Sequence, residues 1–216
     1  MTTSSENQAV RTGPGARPRI LAIVAALVAA TALAVLAGLY ATRSGEQPTS
    51  GQGYPGLGGD FQLQSANGPV ALADYRGKAV LIYFGFTACP DVCPTALGVL
   101  AGALRQLEEG ERERVQVLFV SIDPERDTPE RMQQYTRYFH PDFIGLTGTP
   151  EQIADVAEAY RFFYGKVPLE NSALEYTMDH SATTFVVGPD GTVHSLLHHG
   201  VAAGEVVEEL RTVLAG

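Results

Sequence analysis

Cysteine is nearly missing from this chain of 216 residues, which has only Cys89 and Cys93, with three residues between them. Joined to each other they would close a loop of about five residues, and so short a loop stabilises little. A purely structural disulfide is therefore a poor account of them. Positive charge is scarce too. Of the 15 basic residues four precede Ser44, and of the 24 acidic ones only Glu6 does. The rest of the chain is left with 11 against 23, a formal charge of −12. Phosphate recognition needs the opposite sign, so nucleic acid is excluded as a partner. Charge of either sign is absent from Ile20 to Ala41, no cysteine follows that run to carry a lipid, and no internal repeat is present.

The uncharged run is long enough to cross a hydrocarbon core of ~30 Å as a helix. It exceeds the ~7–15 residues of a signal-peptide core, so an uncleaved anchor is expected rather than a cleaved leader. Arg11, Arg17 and Arg19 precede it and only Arg43 follows closely. That bias predicts a cytoplasmic tail at 1–19, a single-pass anchor in the cell membrane at 20–41, and an extracytoplasmic remainder. Residues 42–59, rich in Gly, Pro, Ser and Gln, read as a flexible linker, and 60–216 as one folded domain.

Within that domain Asp60–Gln64 and Val70–Leu72 flank Asn67-Gly68-Pro69 and predict a small hairpin. Ala79 to Phe86 is nearly all apolar, as a central strand covered on both faces should be. Leu97, Leu100, Leu104 and Leu107 then recur at helical spacing, and Val115 to Ile122 forms a second apolar strand. Thr128-Pro129-Glu130 and Thr149-Pro150-Glu151-Gln152 carry helix-start signals, the second with a capping box. Thr183 to Val187 and Val193 to Leu197 flank the turn Gly188-Pro189-Asp190-Gly191, and Glu205 to Leu214 closes the chain as a helix. Strands separated by helices pair in parallel through right-handed crossovers, and the terminal hairpin adds antiparallel strands. The fold class is α/β, a mixed central sheet with helices on both faces. A cysteine-bearing loop between the first core strand and the first helix is the thioredoxin-like arrangement.

Pro94 disfavours helical geometry at Cys93, which predicts a helix beginning at or after Pro94. Both cysteines then lie on a loop feeding a helix N-terminus, where the dipole and free N–H groups favour thiolate. Two such thiols can pair, bind a soft metal such as Cu(I), or attack a substrate. Two thiolates are an incomplete ligand set, and the histidines are His140, His180, His194, His198 and His199. His180 stands out, because Tyr176–Ser181 lies just ahead of a core strand, and in a thioredoxin-like fold the segment before that strand passes beside the cysteine loop. Asp179 or a backbone carbonyl is the expected partner of its second nitrogen. Met178 is a soft donor nearby, although a lone methionine is more often core.

Three segments carry a resemblance. F-G-F-T-A-C-P-D-V-C-P (84–94), S-I-D-P-E-R-D-T-P (121–129) and Y-T-M-D-H-S-A-T-T-F (176–185), in that order, resemble the Sco/SenC family of copper-binding proteins that serve cytochrome c oxidase assembly. The likeness runs from about Gly59 to the C-terminus, behind a single anchor. It implies that Cys89, Cys93 and His180 are the ligands of a copper ion, Cu(I) or Cu(II). It implies a metallochaperone that delivers copper to the binuclear centre of oxidase subunit II or a related cuproprotein, or reduces the cysteines of that subunit. A thioredoxin-like reductant is then a further partner. The resemblance also places Asp123 near the site in a supporting role. Ala88 departs from the polar or histidine residue the family often has before its first cysteine.

The second reading is a thiol–disulfide oxidoreductase in which Cys89 and Cys93 form a catalytic redox dithiol and His180 is dispensable. A thiol peroxidase would set threonine three residues before its reactive cysteine. Those places hold Phe86 and Pro90, so that reading fails. A purely structural extracytoplasmic domain leaves the shared position of the two cysteines unexplained.

Overall fold

Seven consecutive buried residues make β3 (Ala79–Gly85) the middle of a five-stranded sheet. The structure, a computed structural model, describes residues 53–170 and 172–216, and Thr31 alone of the N-terminal portion. The expected tail, anchor and most of the linker lie outside the described residues. Among the described residues no helix is long and apolar enough to cross a membrane.

β3 pairs in parallel with β4 (Val115–Ser121), and β4 with β5 (Ile144–Leu146). On its other side β3 runs antiparallel to β8 (Thr183–Val187), which pairs with β9 (Val193–His198). The order β5-β4-β3-β8-β9 is the mixed sheet expected from the pattern of helices and hairpins. β1 (Gln62–Ser65) and β2 (Gly68–Ala71) form the small hairpin ahead of it. Residues 54–59 pack on the domain rather than hanging free of it, with Tyr54 N–H donating to the Val193 carbonyl and Gly58 N–H to that of Ala159.

Helices cover both faces because alternate residues of β3 are apolar in both directions. On one face the Tyr83 ring stacks on Phe119 of β4, which packs on Tyr135 of α3 (Pro129–Phe139). α1 (Val92–Leu104) lies on this face too, beside α5 (Ala203–Ala215). A short helix, α2 (Glu109–Arg112), links α1 to β4. On the other face Phe84 packs against Tyr160, the residue that ends α4 (Pro150–Ala159), and against Phe162. The caps foreseen for α3 and α4 are present. Thr128 Oγ1 accepts from Arg131 N–H, and Thr149 and Gln152 exchange the two bonds of a capping box.

One expectation is corrected. α1 begins at Val92, so Cys93 is helical, and Pro94 occupies the third helical position. The first four N–H groups of a helix have no internal partner, so a proline there forfeits no bond, and that outweighs the restriction it places on Cys93. The segment holding His180 is one arm of a separate hairpin, β6 (Tyr164–Pro168) with β7 (Tyr176–His180), lying outside the main sheet.

Candidate metal centre

β3 ends at Gly85 because the next turn needs its surface for a sulfur. A Cβ at Gly85 would lie 2.8 Å from Cys93 Sγ and 2.7 Å from the Phe119 ring. The chain then turns through Phe86–Asp91, with Cys89 N–H donating to the Phe86 carbonyl. Cys89 sits on that turn and Cys93 in the first turn of α1, where its own N–H donates to Cys89 Sγ over 3.4 Å. Cys93 is fully buried and Cys89 is 9% exposed, so both lie in the core with Cys89 the nearer to solvent. Both are free thiols.

His180 arrives from β7. Its Nε2 lies 3.6 Å from Cys93 Sγ, and its Nδ1 lies 3.0 Å from the Ser181 carbonyl oxygen. A carbonyl can only accept, so Nδ1 carries the proton and the Nε2 lone pair faces the sulfurs. The partner foreseen as Asp179 or a carbonyl is therefore the carbonyl. Tyr83, Phe86 and Phe162 surround the imidazole at ring distances of 6.3, 6.0 and 6.0 Å.

The ligand atoms of Cys89, Cys93 and His180 all lie within 4.8 Å of one another, and no other group of three His, Cys, Asp or Glu among the described residues does so. A metal held by thiolates at ~2.3 Å in a trigonal plane spaces its donors about 4 Å apart. The three groups therefore need little movement to close on one ion. Of the other histidines, His140 stands beside Asp142 and His194 beside Asp190. His198 and His199 line a cavity between α1 and β9. Met178 is buried in the hydrophobic core.

The two thiols differ in acidity. A hydrogen bond from Cys93 is the largest influence on Cys89, and with His180 and nearby backbone N–H groups it outweighs burial and lowers the thiol to about 4. Cys93 is pushed up, first by that same bond to Cys89 and then by burial. The pair thus shares one proton, with charge on the Cys89 sulfur and the proton on the more deeply buried Cys93.

Residues outside the ligand set hold the two halves in place, and the turn after β4 grips both. Asp127, buried, accepts from Ser121 Oγ, from the Thr87 backbone and from the Thr87 hydroxyl, which fixes the cysteine loop. Burial pushes the Asp127 carboxyl up against the pull of those donors. Asp123, equally buried, pairs with Arg126 and accepts from the Tyr176 hydroxyl over 2.7 Å. Arg126 in turn donates to the Leu174 and Tyr176 carbonyls and lies 3.9 Å over the Tyr176 ring. Asp123, expected near the site, lies in this turn one contact from the histidine hairpin. Arg126, Asp127 and Tyr176 were not foreseen, although the run of charged residues straight after a buried strand was a usable signal.

Comparison with known proteins agrees with this layout. The SCO1/SenC family matches residues 49–215. A relative named "Protein SCO2 homolog, mitochondrial" from Bos taurus is 40% identical over 208 residues, covering 94% of this chain and 77% of the relative. This chain belongs to the SCO1/SenC family. Among solved structures, Arabidopsis thaliana ScoI "with copper bound" superposes with a TM-score of 0.68 at 35% identity, covering 74% of this chain and 99% of that one. Bradyrhizobium japonicum ScoI, also solved with copper bound, gives 0.66 at 39% identity over 73% and 99%. In this SCO1/SenC chain the three resemblance segments supply the cysteine loop, the gripping turn and the histidine hairpin, and they meet at one place.

Proposed function

We propose that this protein is a membrane-anchored copper chaperone in which Cys89, Cys93 and His180 hold one copper ion. It passes the ion to the binuclear copper centre of cytochrome c oxidase subunit II, or reduces the cysteines of that subunit so that they can receive it. The observation that carries this reading is the meeting of two sulfurs and one imidazole nitrogen within 4.8 Å. Thiolates and imidazole are the donors copper selects, and the ScoI proteins of Arabidopsis thaliana and Bradyrhizobium japonicum are described with copper bound. Cys89 stands ready as a thiolate, and Cys93 gives up the shared proton as the metal arrives. Three donors leave a position open, so an incoming thiolate bonds to the ion before an old ligand leaves. The uncharged run at 20–41 is the proposed anchor, holding the domain on the extracytoplasmic side.

The lowered pKa of Cys89 also favours the reductase limb. Cys89 thiolate attacks one sulfur of a partner disulfide, and the other partner sulfur leaves as thiolate. Cys93 thiolate then displaces the partner from Cys89, so Cys89 and Cys93 end as a disulfide and the partner gains two electrons. A thioredoxin-like reductant restores the dithiol. Titration of the reduced fragment from Ser44 onward with copper, wild type beside His180→Ala, tests the primary reading. Tight binding of one copper per chain that collapses in the variant is expected. Weak binding indifferent to His180 would leave the reductase alone.

A further inference from the structure

Arg76, Arg126, Arg131, Lys166 and Arg211 each pair with an acid. Lys78, Arg112 and Arg137 do not, and among the described residues their side chains have no hydrogen-bond partner. All three line one cavity of about 420 Å³. The fold brings them there. Lys78 immediately precedes β3, Arg112 ends α2 ahead of β4, and Arg137 lies in the last turn of α3 ahead of β5. Those strands run parallel, so the three cations gather at their N-terminal ends, whereas the cysteine loop leaves the C-terminal end of β3. Lys78 and Arg112 are half-buried, which takes water from their charges without giving them a partner. Glu113 and Asp142 line the cavity too, but both are exposed, and Asp142 stands beside His140 at 3.8 Å. A cation offsets the dipole at a helix C-terminus, which accounts for Arg137 at the end of α3. It does not account for the other two, since α2 has only four residues and Lys78 is in no helix.

We propose that this cavity binds a phosphate group, free in solution or on the headgroup of an anionic lipid, with Lys78, Arg112 and Arg137 as its charged contacts. Its volume falls in the range of small-ligand pockets, ~300–1,000 Å³. A guanidinium fork donates two parallel N–H groups to a phosphate, and the lysine ammonium adds a point charge beside it. A phosphate presents oxygens in several directions at once, one for each cation, whereas a carboxylate presents two in a plane. The charge of −12 on the chain from Ser44 onward excludes a long phosphate backbone, but not one phosphate held by local contacts. The proposal is independent of the copper function, because the cavity lies at the other end of β3 from the cysteines.

The test is calorimetric titration of the full chain in neutral detergent at constant ionic strength. One probe is inorganic phosphate, and the other is glycerophosphoglycerol, the water-soluble headgroup of an anionic lipid. Saturable binding of one equivalent of at least one probe is expected. Lys78→Gln and Arg112→Gln should each weaken it about tenfold or more, the size of one lost hydrogen bond to a charged group. Arg161→Gln, which removes an exposed cation outside the cavity, should leave it unchanged. Arg137→Gln guards against folding effects, since Arg137 is exposed, and it should weaken binding with thermal unfolding as in wild type. Phosphate as the tighter probe assigns the cavity to a soluble phosphate, and glycerophosphoglycerol as the tighter one assigns it to a headgroup. Saturation by neither probe overturns the proposal. An affinity indifferent to the cavity variants, or lowered equally by Arg161→Gln, overturns it too, because the summed charge of the domain would then be responsible.

Discussion

The sulfur side and the imidazole side of the site are built differently. Cys89 and Cys93 hang from the end of the most buried strand and the first turn of a helix packed on the sheet. His180 hangs from a two-stranded hairpin outside that sheet, whose surroundings expose Phe163, Val167 and Leu174. Apolar packing fixes the sulfurs, whereas a handful of buried polar contacts through Asp123 and Arg126 fixes the histidine. A chaperone must bind its cargo and still release it. Under the function proposed above, the difference would make the sulfurs the lasting hold and the imidazole the ligand on the less deeply packed arm.

The largest expected effect comes from disturbing the sulfur side. Gly85→Ala puts a methyl 2.7 Å from the Phe119 ring and 2.8 Å from Cys93 Sγ, and neither neighbour can withdraw from a closed core. Overpacking of this kind costs about 1–3 kcal/mol. Chemical denaturation should show that loss for the whole domain, together with weaker copper binding. A variant as stable as wild type would mean that the sulfurs are held more loosely than the packing implies.

A smaller and more local effect is expected on the other side. Asp123→Asn keeps an acceptor for the Tyr176 hydroxyl but removes the charge that holds Arg126 against the Tyr176 and Leu174 carbonyls. Amide exchange in Tyr164–Pro168 and Tyr176–His180 should quicken while β3 and β4 stay protected. Copper affinity should fall about 10–100-fold, as it does when a group that orients a metal ligand is lost. Quickening in β3 instead would show that the two sides are one cooperative unit and that the contrast drawn above is false.

The same contrast explains what the sequence made legible. β3 and β4 announced themselves by apolar runs, α3 and α4 by Thr-Pro starts, and the terminal hairpin by its Gly-Pro-Asp-Gly turn. Each rests on local chemistry that a single segment carries. The cysteine pair was equally plain. The hairpin that presents His180 was not, since β6 carries Gly165 and Pro168, is partly to fully exposed along its length, and shows no alternation to read. Its fold is imposed by partners far away in sequence, Asp123 and Arg126 among them. Asp127 hid for a related reason, because an acid just ahead of Thr128-Pro129 looks like ordinary helix-start chemistry until the Thr87 loop is seen to close on it. At Pro94 the restriction on the preceding residue competes with the unpaired N–H groups of a first turn, and the latter decide the outcome.

The smallest expected effect separates buried from exposed contacts on the imidazole side. Lys166 of β6 pairs with Glu125 over 2.6 Å and lies 4.5 Å over the Tyr176 ring, a cation paired with an acid like Arg126 but at the surface. Exposed pairs exchange good solvation for modest attraction, and salt screens what remains. Lys166→Gln should therefore leave hairpin exchange and copper affinity close to wild type, and any change should vanish in high salt. If Lys166→Gln instead loosens the hairpin as much as Asp123→Asn does, then surface charge around Tyr176 holds the arm. The imidazole side would in that case respond directly to the ionic conditions and charge of an approaching partner, rather than resting on a buried carboxylate that no partner can reach.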